Sequence, residues 1–408
     1  MQDKDAIRKK DEAVVARDER DLVGLCKEVR RGGITRRQFM ERALVMGLSA
    51  SAVGALAGAC GTKETASTTG TVPPMDETKP SEITLYNWTE YLDPSVKKDF
   101  KKATGIGVKE VYFSSNEEVL AKMRAGAKGY DVIVPSDYMV TIMQKSGLLE
   151  PLDMKYLPNF QNVSEKFVNP PYDNPEENNG LQYSVPYFYG TTGYVRRTDK
   201  VSEELTDWPP LFDPKYKGKI NMLDDEREDL GMSLKSLGYS VNSTSQAELD
   251  EATQKLITQK PLVNTYDSVN MKRNIVQGQW LVHCWDGDAL MAIDALGGDA
   301  AAKELVVFVR PTEGFLFWDD TTVCPVGNNS RYGAHLWMDY LMDPKVAGKN
   351  ASWVWYLSAI APSSWEYTDP FALSLTPTAE EVARGETAED LGQFATNYSD
   401  AWRQVKSA

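Results

Sequence analysis

The chain has 408 residues, with 45 basic and 59 acidic side chains and a net charge of −14. Residues 1–59 hold 12 of the basic and 9 of the acidic side chains, so the remainder holds 33 against 50 and carries a net charge of −17. An acidic balance of this size argues against a nucleic-acid-binding protein, which needs a basic surface. It is compatible with a cationic ligand, and equally with solubility alone.

The first sixty residues predict export rather than a folded domain. Thr35–Met40 (TRRQFM) has the form of a twin-arginine signal, and the apolar stretch Ala43–Ala59 that follows is short and rich in small residues. This stretch runs into Leu56–Cys60 (LAGAC), which resembles a lipoprotein-processing site with Cys60 as the lipid-bearing residue. A plain cleaved signal or a retained anchor is the alternative. In each case the domain works outside the cytoplasmic membrane, and residues 61–80 predict a flexible tether to it.

Strands and helices alternate after the tether. The predicted strands of this first run are Glu82–Asn87, Val108–Phe113 and Asp131–Pro135. The predicted helices are about Pro94–Thr104, a helix capped by Ser115 that reaches about Ala127, and one that ends near Lys145 before Gly147. Such alternation is typical of a parallel α/β sheet.

A second α/β run follows a loop over Pro151–Tyr183 and a crossing strand over Ser184–Gly190. Its predicted strands are Lys219–Leu223, Trp280–Trp285 and Glu304–Arg310. Its predicted helices are Arg227–Leu237, one that begins at Ser245 with Glu248 as capping-box partner, Ala289–Leu296, and further segments over Tyr332–Trp355. About 330 residues arranged in this way predict two lobes and a cleft where the strand ends meet.

Aromatic rings stand beside carboxylates just after five of the predicted strands. The segments are Trp88-Thr89-Glu90-Tyr91, Pro135-Ser136-Asp137-Tyr138, Leu223–Glu228, Cys284-Trp285-Asp286 and Phe317-Trp318-Asp319-Asp320. Each alone is explained by a core aromatic residue or a helix-capping acid; Asp225, for example, fits a cap with Glu228 as its box partner. Five such segments together favour a ligand site.

The chemistry of these segments suits a flexible polycation. Ammonium groups form charge-assisted hydrogen bonds with carboxylates, and methylene groups pack on aromatic faces that also attract the cations. Aromatic walls bind sugars as well, so a sugar-binding or sugar-cleaving exported protein is the alternative. Sugars need many amide, Arg and backbone donors, whereas a polyamine needs acids and rings.

Enzymatic and cofactor motifs are sparse in the sequence. His283 lies in an apolar strand and His335 in a helix, and no other histidine is present. We find no zinc spacing, P-loop or dinucleotide-binding glycine motif, and we predict no cofactor and no metal. Cys284 and Cys324 lie in apolar runs, where a disulfide and two buried thiols are both compatible with the pattern.

The chain resembles the bacterial periplasmic spermidine/putrescine-binding proteins, the receptor components of polyamine ABC importers, from about Leu85 to Trp402. The stretches that carry the resemblance are Leu85–Tyr91, Tyr130–Tyr138, Tyr183–Gly190, Leu223–Glu228, Phe315–Asp320 and Asp343–Ala347. The resemblance implies an α/β, two-lobed periplasmic-binding-protein fold that closes around a hinge and a central cleft. It places residues 81–188 and 319–364 in lobe 1, and residues 189–318 and 365–408 in lobe 2.

The resemblance also implies a set of ligand contacts and a set of partners. The implied amine-binding acids are Glu90, Asp225, Glu228 and Asp320, the implied aromatic residues are Trp88, Tyr91, Tyr138, Trp285, Trp318 and Tyr356, and the smaller polar contacts are Thr89 and Ser136. Asp225 and Tyr138 follow the spermidine-type pattern, so spermidine is favoured over putrescine. A glutamine of the family is replaced near Ala388, and Gln393 is out of register with it. The implied partners are a polyamine, a membrane permease and, through Cys60, the membrane itself, without catalysis.

Overall fold

The computed structural model describes residues 72–361 and 376–408. The twin-arginine motif, Cys60, the tether as far as residue 71, and the lobe segments at 362–375 lie outside the described residues. The described residues belong to one compact unit, Val72–Ala408. Among them, no helix combines the length and the apolar character that a membrane crossing requires.

The first part of this unit alternates strands and helices, as predicted. Its strands are β1 (Glu82–Trp88), β2 (Gly107–Phe113) and β3 (Val132–Ile133), and its helices are α1 (Pro94–Thr104), α2 (Asn116–Arg124) and α3 (Asp137–Lys145). The side chain of Asp93 caps α1 and that of Ser115 caps α2, because each accepts a hydrogen bond from a free N–H of the first turn. The predicted loop over 151–183 contains four short 3₁₀ turns.

The remaining elements follow a long strand, β4 (Ser184–Arg197). The strands after it are β5 (Ile220–Met222), β6 (Val263–Tyr266), β7 (Leu281–Trp285), β8 (Val306–Val309), β9 (Phe315–Val323), β10 (Leu357–Ser358) and β11 (Gly385–Thr387). The helices are α4 (Glu226–Lys235), α5 (Gln246–Gln259), α6 (Met271–Val276), α7 (Asp286–Ala295), α8 (Ala300–Leu305), α9 (Arg331–Leu341), α10 (Pro344–Val354), α11 (Ala379–Val382) and α12 (Ala395–Ser407).

The predicted strand over Glu304–Arg310 forms as β8, although it begins at Val306 because Glu304 and Leu305 end α8. The capping box predicted at the start of α5 is wrong. Ser245 precedes α5, but its side chain makes no capping hydrogen bond, and Glu248 accepts a hydrogen bond from the hydroxyl of Ser243 instead. A nearby hydroxyl outside the capping pattern therefore holds Glu248.

The sheet is mixed rather than parallel, which corrects the prediction. Strands follow the order β2-β1-β3-β9-β4-β7-β5-β6, with β8 and β10 paired to β4 and β11 paired to β9. Pairs at the two ends are parallel, whereas β4 pairs antiparallel with β9 and β7. The antiparallel pairs arise because β4 and β9 run through the middle of the unit in opposite directions.

The strand β4 connects the two halves of the fold. It was predicted to end at Gly190 but continues for seven more residues, pairing with β9 up to Thr191 and with β7 from Thr192. Separate clusters of buried side chains lie on either side of this change of partner: one runs mainly through residues 83–188 and 324–360, another through 194–315 and 391–405. The architecture is therefore two-lobed, while the exact lobe limits stay a prediction.

Residues 72–80 have no regular secondary structure, yet they touch the folded unit. The guanidinium of Arg331 donates to the carbonyl oxygen of Pro73 over 2.9 Å. Farther along the chain, Cys284 and Cys324 are both buried free thiols, which decides between the two alternatives left by the sequence.

Candidate ligand-binding site

A cavity brings the predicted segments together. It lies at the ends of β1, β5 and β7, where strand-end loops converge in an α/β sheet, while β9 contributes Leu316, Phe317, Trp318 and Asp320 from within the strand. All twelve residues that the sequence predicted as ligand contacts line it: Trp88, Thr89, Glu90, Tyr91, Ser136, Tyr138, Asp225, Glu228, Trp285, Trp318, Asp320 and Tyr356.

Two hydroxyl groups hold the carboxylate of Asp320 in place. Tyr91 donates its hydroxyl to Oδ2 over 2.7 Å, and Ser136 donates its hydroxyl to Oδ1 over 2.6 Å. Asn116 fixes Ser136 in turn, because its side-chain amide donates to the hydroxyl and accepts from the backbone N–H, each at 3.0 Å. Burial raises the pKa of Asp320 to about 6, although both hydroxyl groups favour the ionised form.

Asp225 and Glu228 flank the first turn of α4. Asp225 does cap the helix, because its Oδ1 accepts hydrogen bonds from the backbone of Arg227 and of Glu228. Glu228 does not complete a capping box: its Oε1 accepts the indole N–H of Trp285 over 3.0 Å, and its side chain faces the cavity. Burial raises the pKa of Asp225 to about 7, with a further contribution from the charge of Glu117. Burial and the charge of Asp225 raise the pKa of Glu228 to about 8.

Aromatic rings form the walls between these acids. Trp88 and Trp285 meet edge to face with their ring centroids 5.9 Å apart, and Tyr356 packs in the same way on Trp318 at 5.2 Å and on Tyr91 at 5.4 Å. The indole of Trp88 is oriented by its N–H, which donates to the carbonyl oxygen of Val134 over 2.9 Å. These contacts fix the angles between the rings, and all five of these residues line the cavity.

Two glycines give the rings the space that they need. A Cβ at Gly190 would lie 2.5 Å from the ring of Trp318, and a Cβ at Gly287 would lie 2.4 Å from the ring of Tyr356. Any other residue at either position would displace an aromatic wall of the cavity. The pattern of rings and acids in the sequence gave no signal for these glycines.

The remaining predicted residues differ in their surroundings. Tyr138 donates its hydroxyl to Glu117 over 2.8 Å, and the guanidinium of Arg227 lies 5.1 Å from the centre of its ring. Thr89 and Glu90, by contrast, are exposed, and Glu90 has a left-handed backbone with φ of 56°. Glu90 Oε1 accepts a hydrogen bond from the ammonium group of Lys272 over 2.9 Å.

Not every acid of the five segments faces the cavity. Asp286 instead accepts hydrogen bonds from the backbone and hydroxyl of Thr191 and lies 3.6 Å from Arg310, while Asp224 pairs with Lys406 at the surface. Further residues line the cavity without having been predicted as ligand contacts: Phe113, Asn116, Asp137, Arg227, Ser268, Val269, Asp288, Met291, Leu316, Phe317 and Ala388. Asp288 lies one turn beyond Trp285 on α7. The pattern of rings and acids directly after strands therefore did not predict it.

The resemblance places the family's missing glutamine near Ala388, and this residue also faces the cavity. Ala388 lines it and is 8% exposed, whereas Gln393 is exposed in a short 3₁₀ turn and does not line it. The small side chain of Ala388 belongs to the same packed cluster as Tyr138, and the guanidinium of Arg227 donates to the carbonyl oxygen of the next residue, Glu389.

Both histidines lie where the sequence placed them, in structural surroundings. His283 is fully buried in β7 with Nδ1 2.9 Å from Asp229 Oδ1, and burial lowers its pKa to about 3. His335 is buried in α9 and accepts the backbone N–H of Asp153. Within residues 72–361 and 376–408, no cluster of three or more His, Cys, Asp and Glu side chains is arranged to hold a metal ion.

Comparison with known proteins places the chain in a family. The family described as bacterial extracellular solute-binding protein matches residues 95–369. The chain is 34% identical to the spermidine/putrescine-binding periplasmic protein of Salmonella typhimurium over 330 residues, or 79% of this chain and 91% of the relative. It is 31% identical to the putrescine/cadaverine-binding protein of Pseudomonas aeruginosa, covering 67% of this chain and 77% of the relative.

A solved structure shows the same fold. The putative spermidine/putrescine ABC transporter from Listeria monocytogenes superimposes with a TM-score of 0.73 at 30% identity, covering 80% of this chain and 99% of that chain. The predicted α/β, two-lobed periplasmic-binding-protein fold is thereby confirmed. The chain belongs to the family of bacterial extracellular solute-binding proteins.

Proposed function

We propose that this protein binds a polyamine outside the cytoplasmic membrane and delivers it to the permease of an ABC importer, without catalysing a reaction. The observation that carries the proposal is the set of buried carboxylates of Asp225, Glu228 and Asp320 around one cavity with aromatic walls. The relatives support it, since those named above carry spermidine, putrescine or cadaverine in their names.

The electrostatics of the cavity favour a cationic guest. Burial raises the pKa of all three carboxyl groups, because each loses water without gaining enough positive charge to replace it. The ammonium groups of a polyamine supply that charge, and each charge-assisted hydrogen bond contributes about 1.5–3 kcal/mol. Two such bonds, together with aromatic contacts and less the cost of ordering the ligand, give an affinity of about −8 kcal/mol, or micromolar.

The side chains that line the cavity argue against a sugar-binding or sugar-cleaving protein. Among the described residues that line the cavity, Asn116 is the sole amide side chain, and it is already engaged with Ser136. A sugar site needs several such donors and acceptors for its hydroxyl groups. Carboxylates and rings predominate here, which is the combination that amines and methylene groups need.

Within the polyamines, we propose that the ligand is a triamine such as spermidine rather than the diamine putrescine. Asp225 and Tyr138 follow the spermidine-type pattern of the family that the chain resembles, and carboxylates from three separate elements line the cavity: Glu90 after β1, Asp225 and Glu228 at the start of α4, and Asp320 on β9. Asp225→Asn is expected to weaken spermidine binding far more than putrescine binding, because a diamine leaves one group unused. Calorimetric titration of both ligands measures this, and equal losses would contradict the triamine assignment.

The proposal includes attachment to the membrane through a lipid on Cys60, with the lobes closing on the ligand and presenting the complex to the permease. The support is the sequence LAGAC at residues 56–60 behind a twin-arginine motif. Metabolic labelling with a fatty acid tests the anchor: label on the wild type and none on Cys60→Ser is expected. An unlabelled and freely secreted wild type would remove this part of the proposal.

A thermal-shift series tests the binding proposal as a whole. A ligand that binds only the folded state raises the melting temperature in proportion to the logarithm of its excess over the dissociation constant. Spermidine is therefore expected to raise it progressively, and an oligosaccharide to leave it unchanged. A shift with the oligosaccharide and none with any polyamine is the result that would replace the proposal with its alternative.

A further inference from the structure

The side chain of Lys272 already forms an ion pair with Glu90. Lys272 Nζ lies 2.9 Å from Glu90 Oε1, and the two side chains are 33% and 45% exposed. Glu90 follows β1, whereas Lys272 lies on α6, so the ion pair joins residues 182 positions apart in the sequence, one in each predicted lobe. An ammonium group of the protein thus lies where the proposed function places an ammonium group of the ligand.

Local structure fixes both partners of this ion pair. Glu90 has a left-handed backbone, which is unfavourable for a residue with a Cβ and which sets the direction of its side chain. The segment before Lys272 is anchored as well: Asp267 Oδ1 accepts the backbone N–H of Val269 over 2.9 Å, and the hydroxyl of Ser268 accepts that of Asp224 over 2.8 Å. Ser268 and Val269 line the cavity, so Lys272 follows directly from its wall.

The charge of Lys272 also acts on a second carboxylate, that of Asp288. Asp288 lines the cavity, its Oδ2 lies 3.5 Å from the hydroxyl of Tyr356, and burial together with the charge of Glu90 raises its pKa to about 7, while Lys272 lowers it. Lys272 therefore offsets part of the negative charge of Glu90 and Asp288. A ligand amine near Glu90 and Asp288 therefore meets a smaller net negative charge than the two carboxylates alone would give.

We propose that the ammonium group of Lys272 competes with the amines of the ligand for the carboxylate of Glu90 and thereby limits the affinity of the protein for polyamines. This inference rests on the proposed function. A ligand amine that binds Glu90 must first displace the lysine ammonium group, and an exposed ion pair is weak enough for this exchange to occur. Removing the lysine leaves Glu90 available and makes the cavity more negative. A lysine that instead held the lobes together would have the opposite effect, since its removal would weaken binding.

The test compares spermidine affinities of purified wild type, Lys272→Gln, Glu90→Gln and the double variant by isothermal titration calorimetry. Lys349→Gln is the matched control, because Lys349 also forms a partly exposed ion pair, with Asp99 at 2.7 Å, and does not line the cavity. Lys272→Gln is expected to bind spermidine about two- to fivefold more tightly, in keeping with the strength of an exposed pair. In the Glu90→Gln background the same substitution is expected to change little, and Lys349→Gln to match the wild type.

Each other result overturns the inference. Weaker or unchanged binding by Lys272→Gln, with a melting temperature equal to that of the wild type, shows that the lysine does not compete. Equal tightening in Lys349→Gln, or in the Glu90→Gln background, shows a general effect of net charge. A wild type that binds no polyamine refutes the proposed function itself, whereas a wild type that binds spermidine with no gain in Lys272→Gln refutes the competition alone.

Discussion

The affinity for polyamines is expected to rise steeply with pH between 6 and 8. The reason lies in the raised pKa of the cavity carboxyl groups, about 7 for Asp225 and about 8 for Glu228, with burial as the main cause. At pH 6 both groups are largely protonated in the ligand-free protein, whereas a bound ammonium group favours their ionised forms. Binding must therefore release protons, and it becomes easier as the pH rises toward the pKa values.

The size of this effect follows from the same two values. A carboxyl group of pKa 8 is ionised in about 1% of molecules at pH 6 and in about half at pH 8, and one of pKa 7 goes from about 9% to about 91%. The dissociation constant is thus expected to fall about 50-fold if Glu228 alone gives up its proton, and about 500-fold if Asp225 does so too. Aliphatic amines stay protonated over this range, so the ligand adds little pH dependence of its own.

Isothermal titration calorimetry with spermidine from pH 6 to pH 8 measures this dependence. Repeating each titration in two buffers of different ionisation enthalpy counts the protons released on binding. Glu228→Gln is the control variant, because it removes the group with the higher pKa and is expected to flatten the slope between pH 7 and pH 8. A dissociation constant that stays constant from pH 6 to pH 8, or that rises, would show that Asp225 and Glu228 do not lose protons when the ligand binds.

Two substitutions test the charge of Asp320 and the packing of the aromatic wall at Trp318. Asp320→Asn removes the charge that Tyr91 and Ser136 orient, and calorimetry is expected to show about 10- to 150-fold weaker spermidine binding, as for the loss of one charge-assisted hydrogen bond; an unchanged affinity would show that no amine binds there. Gly190→Ala places a Cβ 2.5 Å from the ring of Trp318 and is expected to lower the free energy of unfolding by about 1–3 kcal/mol in urea denaturation. Gly107→Ala is its control, since a Cβ there makes ordinary contacts from 3.4 Å outward, and equal losses in both variants would contradict the steric argument.

The candidate site was largely predictable because its residues follow strands. Trp88 and Trp285 are the last residues of β1 and β7, and strand ends of one sheet converge, so rings far apart in sequence were expected to meet. Trp318 departs from this pattern, because it lies within β9 rather than after a strand. Glu228 shows the limit of this local reasoning. Its spacing from Asp225 matches a capping box, yet its side chain turns to the indole of Trp285, and only the packing of α4 against β7 reveals that contact.

Other features depend on tertiary contacts that no local pattern reports. The strand β4 continues past Gly190 because it pairs there with β7 and β8. The sequence around residue 190 does not indicate this pairing. The same holds for the mixed sheet, since strand direction in the middle of the fold is set by how β4 and β9 cross it. The ion pair of Glu90 with Lys272 spans 182 residues and two predicted lobes, and each member alone resembles an ordinary surface charge.

Calorimetric titration of residues 61–408 with spermidine, putrescine and an oligosaccharide at pH 7.5 tests whether the cavity is a polyamine site. We expect one spermidine bound per chain with a micromolar dissociation constant, weaker binding of putrescine, and no heat with the oligosaccharide. Absence of binding by either polyamine, with saturable binding of the oligosaccharide, would contradict the claim that the carboxylates and rings of this cavity form a polyamine site.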